Sequence, residues 1–430
     1  MSDLRESGFK DVTRVADARE RLLDAVEPIE RTDHVSLSSA DGRVLATAVE
    51  ADRDVPHYRR AAMDGYAVRA EDTFGASSRS PAVLRAEGTD ADAVDPETAV
   101  RVHTGSQVPE GADAVVMIED VEEVGADLEV FDAVAEGENV APAGEDVAAG
   151  QHLYDPGHRI RPSDTGLLKS VDVRALSVYQ RPTVGVVPTG EELVQHDPGP
   201  GEVIETNGLT VSQFVERWGG KATYRDVVTD DYEALRAAIQ RDLTKDVVVT
   251  TGGSSVGERD LMPEIVDDLG EILFHGVAVR PGHPFGAGVV DDTPVLMLPG
   301  YPVACIVNAV QFLRPLVKYL GHVPETGHPT TTARLDGKIR SEPGMRTFAR
   351  VALEREARSA SEASGETASD GEATRASKAS GDAVARPTRT SGAGVLSSVA
   401  LADGWVVVPE DREGIPDGET VTVEEWEAHL

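Results

Sequence analysis

Cysteine is almost absent from this sequence, and its scarcity excludes two kinds of site. The 430 residues contain one cysteine, Cys305, so neither a disulfide framework nor a cysteine-built zinc site is expected. There is no run of about 18 apolar residues, so no transmembrane helix is expected. The first residues lack the apolar segment and the cleavage site of a signal peptide. We therefore expect a cytoplasmic protein.

Basic residues are also scarce. Lysine and arginine total 41 against 76 aspartates and glutamates, which gives a net charge of −35. This composition indicates an acidic, solvated surface of the kind that suits a salt-adapted cytoplasm. Such a surface repels nucleic acid and anionic membranes, so neither is expected as a partner. An anionic ligand needs a local basic pocket, although at molar salt the Debye length of about 3 Å relaxes that need.

Hydrophobic spacing divides the chain into several domains. The length suggests three or four domains at about 100–200 residues each. Val15, Ala18 and Leu22 recur at helical spacing and predict an N-terminal amphipathic helix. From about Arg43 to Val140 the pattern changes to short strands and turns, which predicts a β-rich domain.

The segment from 181 to 325 alternates strands and helices. The continuous apolar run "DVVVTTGG" is typical of a strand in a sheet that is covered on both faces. The pattern predicts a three-layer α/β domain.

The tail beyond residue 329 returns to a β pattern but is interrupted from about 356 to 390. This stretch is rich in Ser, Ala, Gly and Glu, and its only large apolar residue is Val384. It cannot bury enough surface to offset its chain entropy, so we predict a disordered insertion. It is either an acidic flexible loop or a regulatory docking segment.

Three glycine-containing loops leave the predicted carboxyl ends of strands: "PTGEEL", "TGGSSVGERD" and "LPGYPVA". Ligands of open α/β sheets bind at these ends. The loop from Gly252 to Gly257 is a candidate phosphate cradle, though a plain tight turn fits it equally well. Glu192, Glu258 and Asp260 are candidate Mg²⁺ ligands beside it, with surface decoration as the alternative.

Two further places offer candidate residues. Arg280 and His283 stand three apart in "VRPGHPFGAG" and suit an oxyanion, or else form a capped hairpin. In the β-rich segment, Asp64 precedes a glycine and Thr104 lies between His103 and a glycine. An Asp-Gly pair is a turn signal by default, so periodicity assigns neither residue a function.

Taken together, seven motifs resemble one family. In order they are "AAMDGYAV", "HTGSQVPEGADAVVM", "GEDVAAG", "PTGEEL", "TTGGSSVGERD", "VRPGHPF" and "LPGYPVA". They resemble the molybdopterin molybdenumtransferases, the family of bacterial MoeA and the gephyrin E domain, over nearly the whole chain outside the insertion. The resemblance implies Mg²⁺-dependent hydrolysis of adenylylated molybdopterin, insertion of molybdate into its dithiolene, and release of AMP.

The resemblance also implies an architecture. A homodimer is expected, with a β-rich domain at 49–139 that reaches toward the partner subunit. A helical spine domain combines 7–48 with 140–180, an α/β molybdopterin-binding domain covers 181–325, and a small C-terminal β-barrel covers 329–430 around the insertion. The molybdopterin adenylyltransferase is a candidate partner.

Candidate site residues follow position by position. The catalytic candidates are Asp64, Thr104, Asp146, Glu192, Asp230 and Asp260, of which Asp260 is the leading candidate for metal and pyrophosphate chemistry. The substrate-binding candidates are Thr189, Gly190, Gly252, Gly253, Ser254, Ser255, Gly257, Pro299, Gly300 and Pro302. The molybdate-binding candidates are Arg280, His283, Ser397 and a tail arginine, Arg346 or Arg350. The metal candidates are Asp260, Glu192 and Glu258.

The chain departs from the family pattern at three positions. His283 replaces a lysine, Tyr301 stands where asparagine is common, and Ala304 stands where serine is common. These departures concern the molybdate subsite more than the nucleotide subsite. An archaeal-type variant, a tungstate-inserting paralogue and a catalytically weak scaffold of the gephyrin E-domain kind therefore stay open.

Overall fold

A computed structural model describes residues 12–88, 91–252, 261–355, 383–388 and 393–428. The chain divides into two compact units. One comprises Met1–Arg31 with Tyr179–Leu430, and the other comprises Thr32–Val178.

The larger unit contains a six-stranded mixed sheet. Its strands, in spatial order, are Lys221–Tyr224, Thr183–Pro188, Val247–Thr251, Thr293–Leu298, Gly286–Val290 and Glu271–His275. The first four are mutually parallel, and Gly286–Val290 runs antiparallel to both of its neighbours. Every residue of Val247–Thr251 is buried, as the unbroken apolar run predicts for a strand covered on both faces.

Helices cover both faces of this sheet. They are Val15–Asp24, Asn207–Arg217, Tyr232–Asp242, Met262–Leu269 and a continuous helix over Pro302–Leu320 whose middle, Ala309–Leu313, is π-helical. Separate apolar clusters fill the two interfaces: Val249 packs in one and Val248 in the other. The predicted three-layer α/β domain is confirmed.

The helix Pro302–Leu320 is the one helix in the described ranges that is long and apolar enough to cross a membrane by length and composition. Of its most apolar window, 89% is buried inside the protein. It contributes Val303, Ile306 and Phe312 to the larger core cluster, so we interpret it as a core helix.

The tail forms a closed five-stranded barrel. Its strands are Thr330–Leu335, Arg346–Arg355, Ala383–Pro387, Gly404–Val408 and Thr420–Glu424. Pairing of Arg346–Arg355 with Gly404–Val408 closes the ring, and residues such as Leu335, Val351 and Val406 fill it. The predicted C-terminal β-barrel is confirmed. Short strands Ile339–Arg340 and Gly414–Ile415 pair beside it, and a short helix, Ser397–Ala400, precedes its fourth strand.

The prediction of disorder is wrong at Ala383–Pro387, which lies inside the predicted insertion from about 356 to 390. This strand pairs with Arg346–Arg355 on one side and with Thr330–Leu335 on the other. Because both edges are hydrogen-bonded and Ala385 is fully buried in the barrel, small side chains are sufficient there. Residues 356–382 and 389–392 lie outside the described ranges.

The unit Thr32–Val178 is rich in β-structure. Its six-stranded sheet has the order Ala114–Met117, Gly65–Val68, Thr98–Val102, Ala82–Glu87, Asp127–Val130 and Val121–Val124. The unit also contains the helix Pro162–Ser170 and the short strands Thr32–Ser36, Val49–Glu50, Arg60–Ala61, Val140–Ala141, His152–Tyr154 and Ala175–Tyr179. The predicted β-rich domain is confirmed as a class of structure.

The predicted domain bounds stay predictions, and two packing facts bear on them. Val15 and Leu22 of the N-terminal helix pack in the core cluster of the α/β sheet. Leu45, Ile160 and Leu168 share a different cluster within the smaller unit.

Candidate active site at the carboxyl ends of the sheet

The ends of three neighbouring parallel strands converge, and each carries one of the predicted loops. The backbone N–H of Thr189 donates to the carbonyl of Thr251 at 3.4 Å, and that of Gly252 donates to Leu298 at 3.1 Å. A Cβ on Gly252, whose φ is +129°, would lie 2.2 Å from the carbonyl oxygen of Thr189, and a Cβ on Gly300 would lie 3.4 Å from the Cα of Gly252. Gly252 is therefore required by both its conformation and its surroundings.

Three threonine hydroxyls are buried at this edge. Thr189, Thr250 and Thr251 are each at most 2% exposed, and their Oγ1 atoms have no hydrogen-bond partner among the residues that the structure describes. A buried polar group without a partner costs about 1–3 kcal/mol, and native proteins contain few of them. These hydroxyls place polar groups directly beneath the loops at this edge of the sheet.

Asn207 and Glu205 were missed by sequence reasoning. The Asn207 side-chain amide donates to the carbonyl of Gly300 at 2.7 Å. Glu205 is buried, accepts from the backbone N–H of Gly208 at 2.6 Å and also accepts from the Tyr224 hydroxyl. The polar start of "ETNGLT" looks like ordinary helix capping, and only the fold shows that it contacts the loop after another strand.

Carboxylates gather beside the first loop. The backbone N–H of Gly190 donates to Val228 at 3.1 Å, which brings the loop containing Glu192 next to Asp230. Desolvation of the Asp230 carboxylate, followed by repulsion from Glu192 and then Glu191, raises its pKa above the usual value. A cation would relieve this repulsion. Within the described ranges, no group of three or more His, Cys, Asp or Glu side chains is arranged to hold a metal.

Part of the predicted site lies outside the described residues. This part comprises Gly253, Ser254, Ser255, Gly257, Glu258 and Asp260. Of the remaining substrate-binding candidates, Thr189, Gly190, Gly252, Pro299 and Gly300 lie at the strand ends, and Pro302 begins the helix that follows.

The turn with Arg280 and His283 is anchored on the long core helix. Asn308 is fully buried, and its side-chain amide donates to the carbonyls of Gly282 and Ala304, both at 2.9 Å. Gly282 has φ +119°, and a Cβ there would lie 2.1 Å from the Asn308 Nδ2. The Asn308 side chain therefore approaches the backbone of the turn between Arg280 and His283 so closely that only glycine fits at position 282.

Cations and carboxylates alternate around this turn. Arg280 forms an ion pair with Glu342. Burial, followed by the positive charge of Arg280, lowers the pKa of His283 below the usual histidine value, and Glu342 opposes this shift. The strand Val279–Arg280 pairs with Arg346–Arg355, with Val279 opposite Arg346.

The other molybdate candidates differ in their surroundings. Arg346 contacts Glu410 through two atom pairs, at 3.1 and 3.2 Å. Arg350 is buried, and burial lowers its pKa. Ser397 is exposed at the start of its short helix.

In the smaller unit, the structure brings Asp64 and Thr104 together. The Thr104 backbone N–H donates to Asp64 Oδ1 at 2.7 Å and its hydroxyl donates at 3.2 Å. The backbone hydrogen bond is the main cause that lowers the pKa of Asp64. His103, which the sequence did not single out, places its Nδ1 3.7 Å from the same oxygen. Asp146 is exposed, and its backbone N–H donates to Val55 at 3.0 Å.

Comparison with known proteins identifies the family. Residues 13–171 match the model of the MoeA N-terminal region (domain I and II), residues 185–319 match a probable molybdopterin binding domain, and residues 372–426 match the MoeA C-terminal region (domain IV). The chain is 34% identical over 415 residues to a putative molybdopterin biosynthesis protein of Methanocaldococcus jannaschii, with 94% of each chain covered. The chain belongs to the MoeA family.

Other relatives of this MoeA-family chain agree. It is 32% identical over 409 residues to the molybdopterin molybdenumtransferase of Bacillus subtilis, covering 91% of this chain and 89% of the relative. The crystal structure of a MoeA protein from Pyrococcus horikoshii matches with a TM-score of 0.80 and 31% identity, covering 97% of this chain and all of that one.

The family and the fold class predicted from the motifs are therefore confirmed. As a MoeA-family member, the chain is an enzyme, a transferase of molybdenum cofactor biosynthesis. The salt-adapted character inferred from charge stays a prediction, and so does the archaeal-type variant inferred from the departures at His283, Tyr301 and Ala304.

Proposed function

We propose that this MoeA-family chain hydrolyses adenylylated molybdopterin in a Mg²⁺-dependent reaction, inserts molybdate into the dithiolene and releases AMP. The observation that carries the proposal is the convergence of Thr189, Gly252 and Gly300 at the carboxyl ends of three neighbouring strands. Glycine backbone that a ligand can approach closely, with polar groups around it, suits a phosphate-bearing substrate.

Mg²⁺ would be held by Glu192 and Asp230, together with Glu258 and Asp260 of the neighbouring loop. The raised pKa of Asp230 supports this, because after desolvation its next causes are repulsion from Glu192 and Glu191, which a cation would relieve. Bound there, the ion supplies neutralisation of the charge on the pyrophosphate oxygens. The chain's own residues orient the substrate: Asn207 holds the Gly300 loop, and Gly252 admits the phosphates.

Molybdate, as a substrate, would bind at the turn of Arg280 and His283, with Ser397 and a tail arginine nearby. Arg346 is a better candidate than Arg350. Arg346 lies opposite Val279, next to Arg280, in the paired strands. Arg350 is four residues further along the strand, a distance of about 13 Å at a rise of about 3.3 Å per residue. Tungstate would use the same contacts.

Assembly belongs to the proposal as well. We propose a homodimer in which Asp64 and Thr104 of one copy serve the site of the other, with the molybdopterin adenylyltransferase as the source of substrate. The family resemblance motivates both statements. A catalytically weak scaffold of the gephyrin E-domain kind is the alternative.

The test is an assay with adenylylated molybdopterin, Mg²⁺ and either molybdate or tungstate, which follows AMP release and cofactor reconstitution. Asp260→Ala should abolish Mg²⁺-dependent AMP release without changing the melting temperature. Asp267→Ala, an exposed carboxylate on the next helix, is the matched control and should retain activity. Wild-type turnover by Asp260→Ala would remove the metal role, and absence of AMP release from the wild-type protein with either anion would favour the scaffold.

A further inference from the structure

We propose that Glu342 is a built-in competitor of the oxyanion. Its carboxylate occupies the guanidinium of Arg280 in the free protein, and molybdate must displace it. This inference rests on the proposed role of Arg280 in molybdate binding. It assigns to the barrel a part in setting the affinity of the site.

The geometry places the competitor on a different element from the cation. Arg280 ends the strand Val279–Arg280, and Glu342 lies in the barrel turn before Arg346–Arg355. Pairing of Arg280 with Thr347 holds the two elements side by side, and the turn is closed by the Met345 N–H, which donates to the Glu342 carbonyl at 3.0 Å. The Arg280 and Glu342 side chains form an ion pair while remaining 48% and 60% exposed. A dissolved anion can therefore reach the pair.

A second pair shows why Glu342 is the group that is displaced. Arg346 contacts Glu410 through two atom pairs, and both side chains are less exposed than those of the first pair. Solvent screens an exposed arginine–carboxylate pair more than a less exposed one, so the Arg346–Glu410 pair is the stronger of the two. The Glu342 carboxylate is therefore bound more weakly to Arg280 than the Glu410 carboxylate is to Arg346, and an incoming anion displaces Glu342 first.

The strength of the pair fits a competitor. Exposed ion pairs contribute little, since solvent screens them and the side chains lose rotamer freedom. A dianion that also contacts His283 and Arg346 can therefore replace the Glu342 carboxylate. Removing that carboxylate should tighten oxyanion binding by about two- to fivefold, the range expected for an exposed pair.

The experiment measures molybdate and tungstate affinity by calorimetry at about pH 8, where His283 of the free protein, whose pKa burial lowers, is neutral. Salt is fixed at about 1 M so that distant charges are screened. Glu342→Gln should bind both anions about two- to fivefold more tightly than the wild type.

Glu354→Gln is the matched control. It removes the same charge from another exposed barrel pair, formed with Arg386, whose side chains are 54% and 56% exposed. Its affinity should stay close to that of the wild type. A tightening in Glu354→Gln equal to that in Glu342→Gln would trace the effect to net charge and overturn the proposal.

The variant Arg280→Gln distinguishes the competitor role of Glu342 from the proposed role of Arg280 in molybdate binding. If Arg280→Gln leaves molybdate affinity unchanged, the oxyanion role of Arg280 fails and the competitor role fails with it. If Arg280→Gln weakens binding while Glu342→Gln leaves it unchanged or weakens it, Glu342 only orients Arg280, and the competitor role alone is wrong. Weakened binding in the first variant and tightened binding in the second would support both.

Discussion

At the scale of single residues, Asn308 controls the oxyanion turn most directly. Its side-chain amide links the Gly282 carbonyl in the turn to the Ala304 carbonyl in the helix, while its Oδ1 has no hydrogen-bond partner within the described part of the chain. The π-helical segment begins at the next residue, and such insertions are frequent at functional sites. We interpret Asn308 as a positioning residue for Arg280 and His283.

Asn308→Ala should lower the free energy of unfolding by about 1–3 kcal/mol, because two buried carbonyls lose their donor. Relief of the unpaired Oδ1 offsets part of this cost. Urea denaturation measures the loss, and molybdate affinity should fall as well. Asn207→Ala, which removes one hydrogen bond at a half-buried position, should cost about 0.5–1.5 kcal/mol. Equal losses in the two variants would contradict the special role of Asn308.

His283 makes a specific pH dependence testable. A bound dianion favours the imidazolium and should raise the histidine pKa in the complex above its value in the free protein. Affinity should therefore increase as pH falls through the pKa of the complex and level off below that of the free protein. Because burial lowers the pKa of free His283, the gain extends to the acid side of about pH 6.5.

The measurement is molybdate affinity between about pH 6 and pH 9 for the wild type and for His283→Lys. Lysine stays charged across this range, so the variant should show a flat profile and the wild type a declining one. Arginine side chains are not deprotonated in proteins at these pH values, so wild-type binding should decline without vanishing. Parallel profiles would mean that His283 does not contact the anion.

At the scale of elements, the strand Ala383–Pro387 decides which part of the acidic segment can be removed. Arg355 and Ala383, the residues that flank 356–382, are opposite each other as partners in the antiparallel ladder. A short connection can join them. The free-energy cost of closing a loop changes by only about 0.6 kcal/mol for each doubling of the loop's length.

Replacing residues 356–382 by a short Gly/Ser linker should leave the melting temperature and the activity nearly unchanged. Replacing 356–390 removes a strand that is paired on both edges and should lower the melting temperature strongly. Differential scanning calorimetry and the AMP assay compare the two deletions. Loss of activity at an unchanged melting temperature in the shorter deletion would instead indicate a docking role for the segment.

At the scale of the whole molecule, the candidate residues fall in both compact units. Asp64 and Thr104 lie in Thr32–Val178, whereas Glu192 and Asp230 lie in the other unit. The proposed homodimer makes these residues act together across two copies of the chain.

Mixed dimers test this arrangement. Asp64→Ala and Asp260→Ala chains should each be inactive alone, and mixing them after dissociation should restore about one working site in each mixed dimer if sites are shared between copies. AMP release measures the recovery. Mixing two preparations of the same variant is the control, and no recovery in the mixed sample would show that each site is built within one chain.

The sequence by itself determined the family, the order of structural classes and the convergence of the strand-end loops. The ordered motifs identify the family. The continuous apolar run at Val247–Thr251 predicts a strand covered on both faces, because successive side chains of a strand point to opposite faces and here both faces are apolar. Loops after parallel strands meet at one edge of a sheet, so Thr189, Gly252 and Gly300 could be expected together.

Only the tertiary structure decided the contacts between residues that are distant in sequence. The pairing of Arg280 with Glu342 and the anchoring of Gly282 by Asn308 depend on how a barrel turn and a core helix pack against the oxyanion turn. The strand Ala383–Pro387 likewise owes its order to two partner strands, since its own small side chains bury too little surface to order it alone. Local composition contains no signal for such long-range partners, which is why a segment with a disordered composition supplies a strand of the barrel.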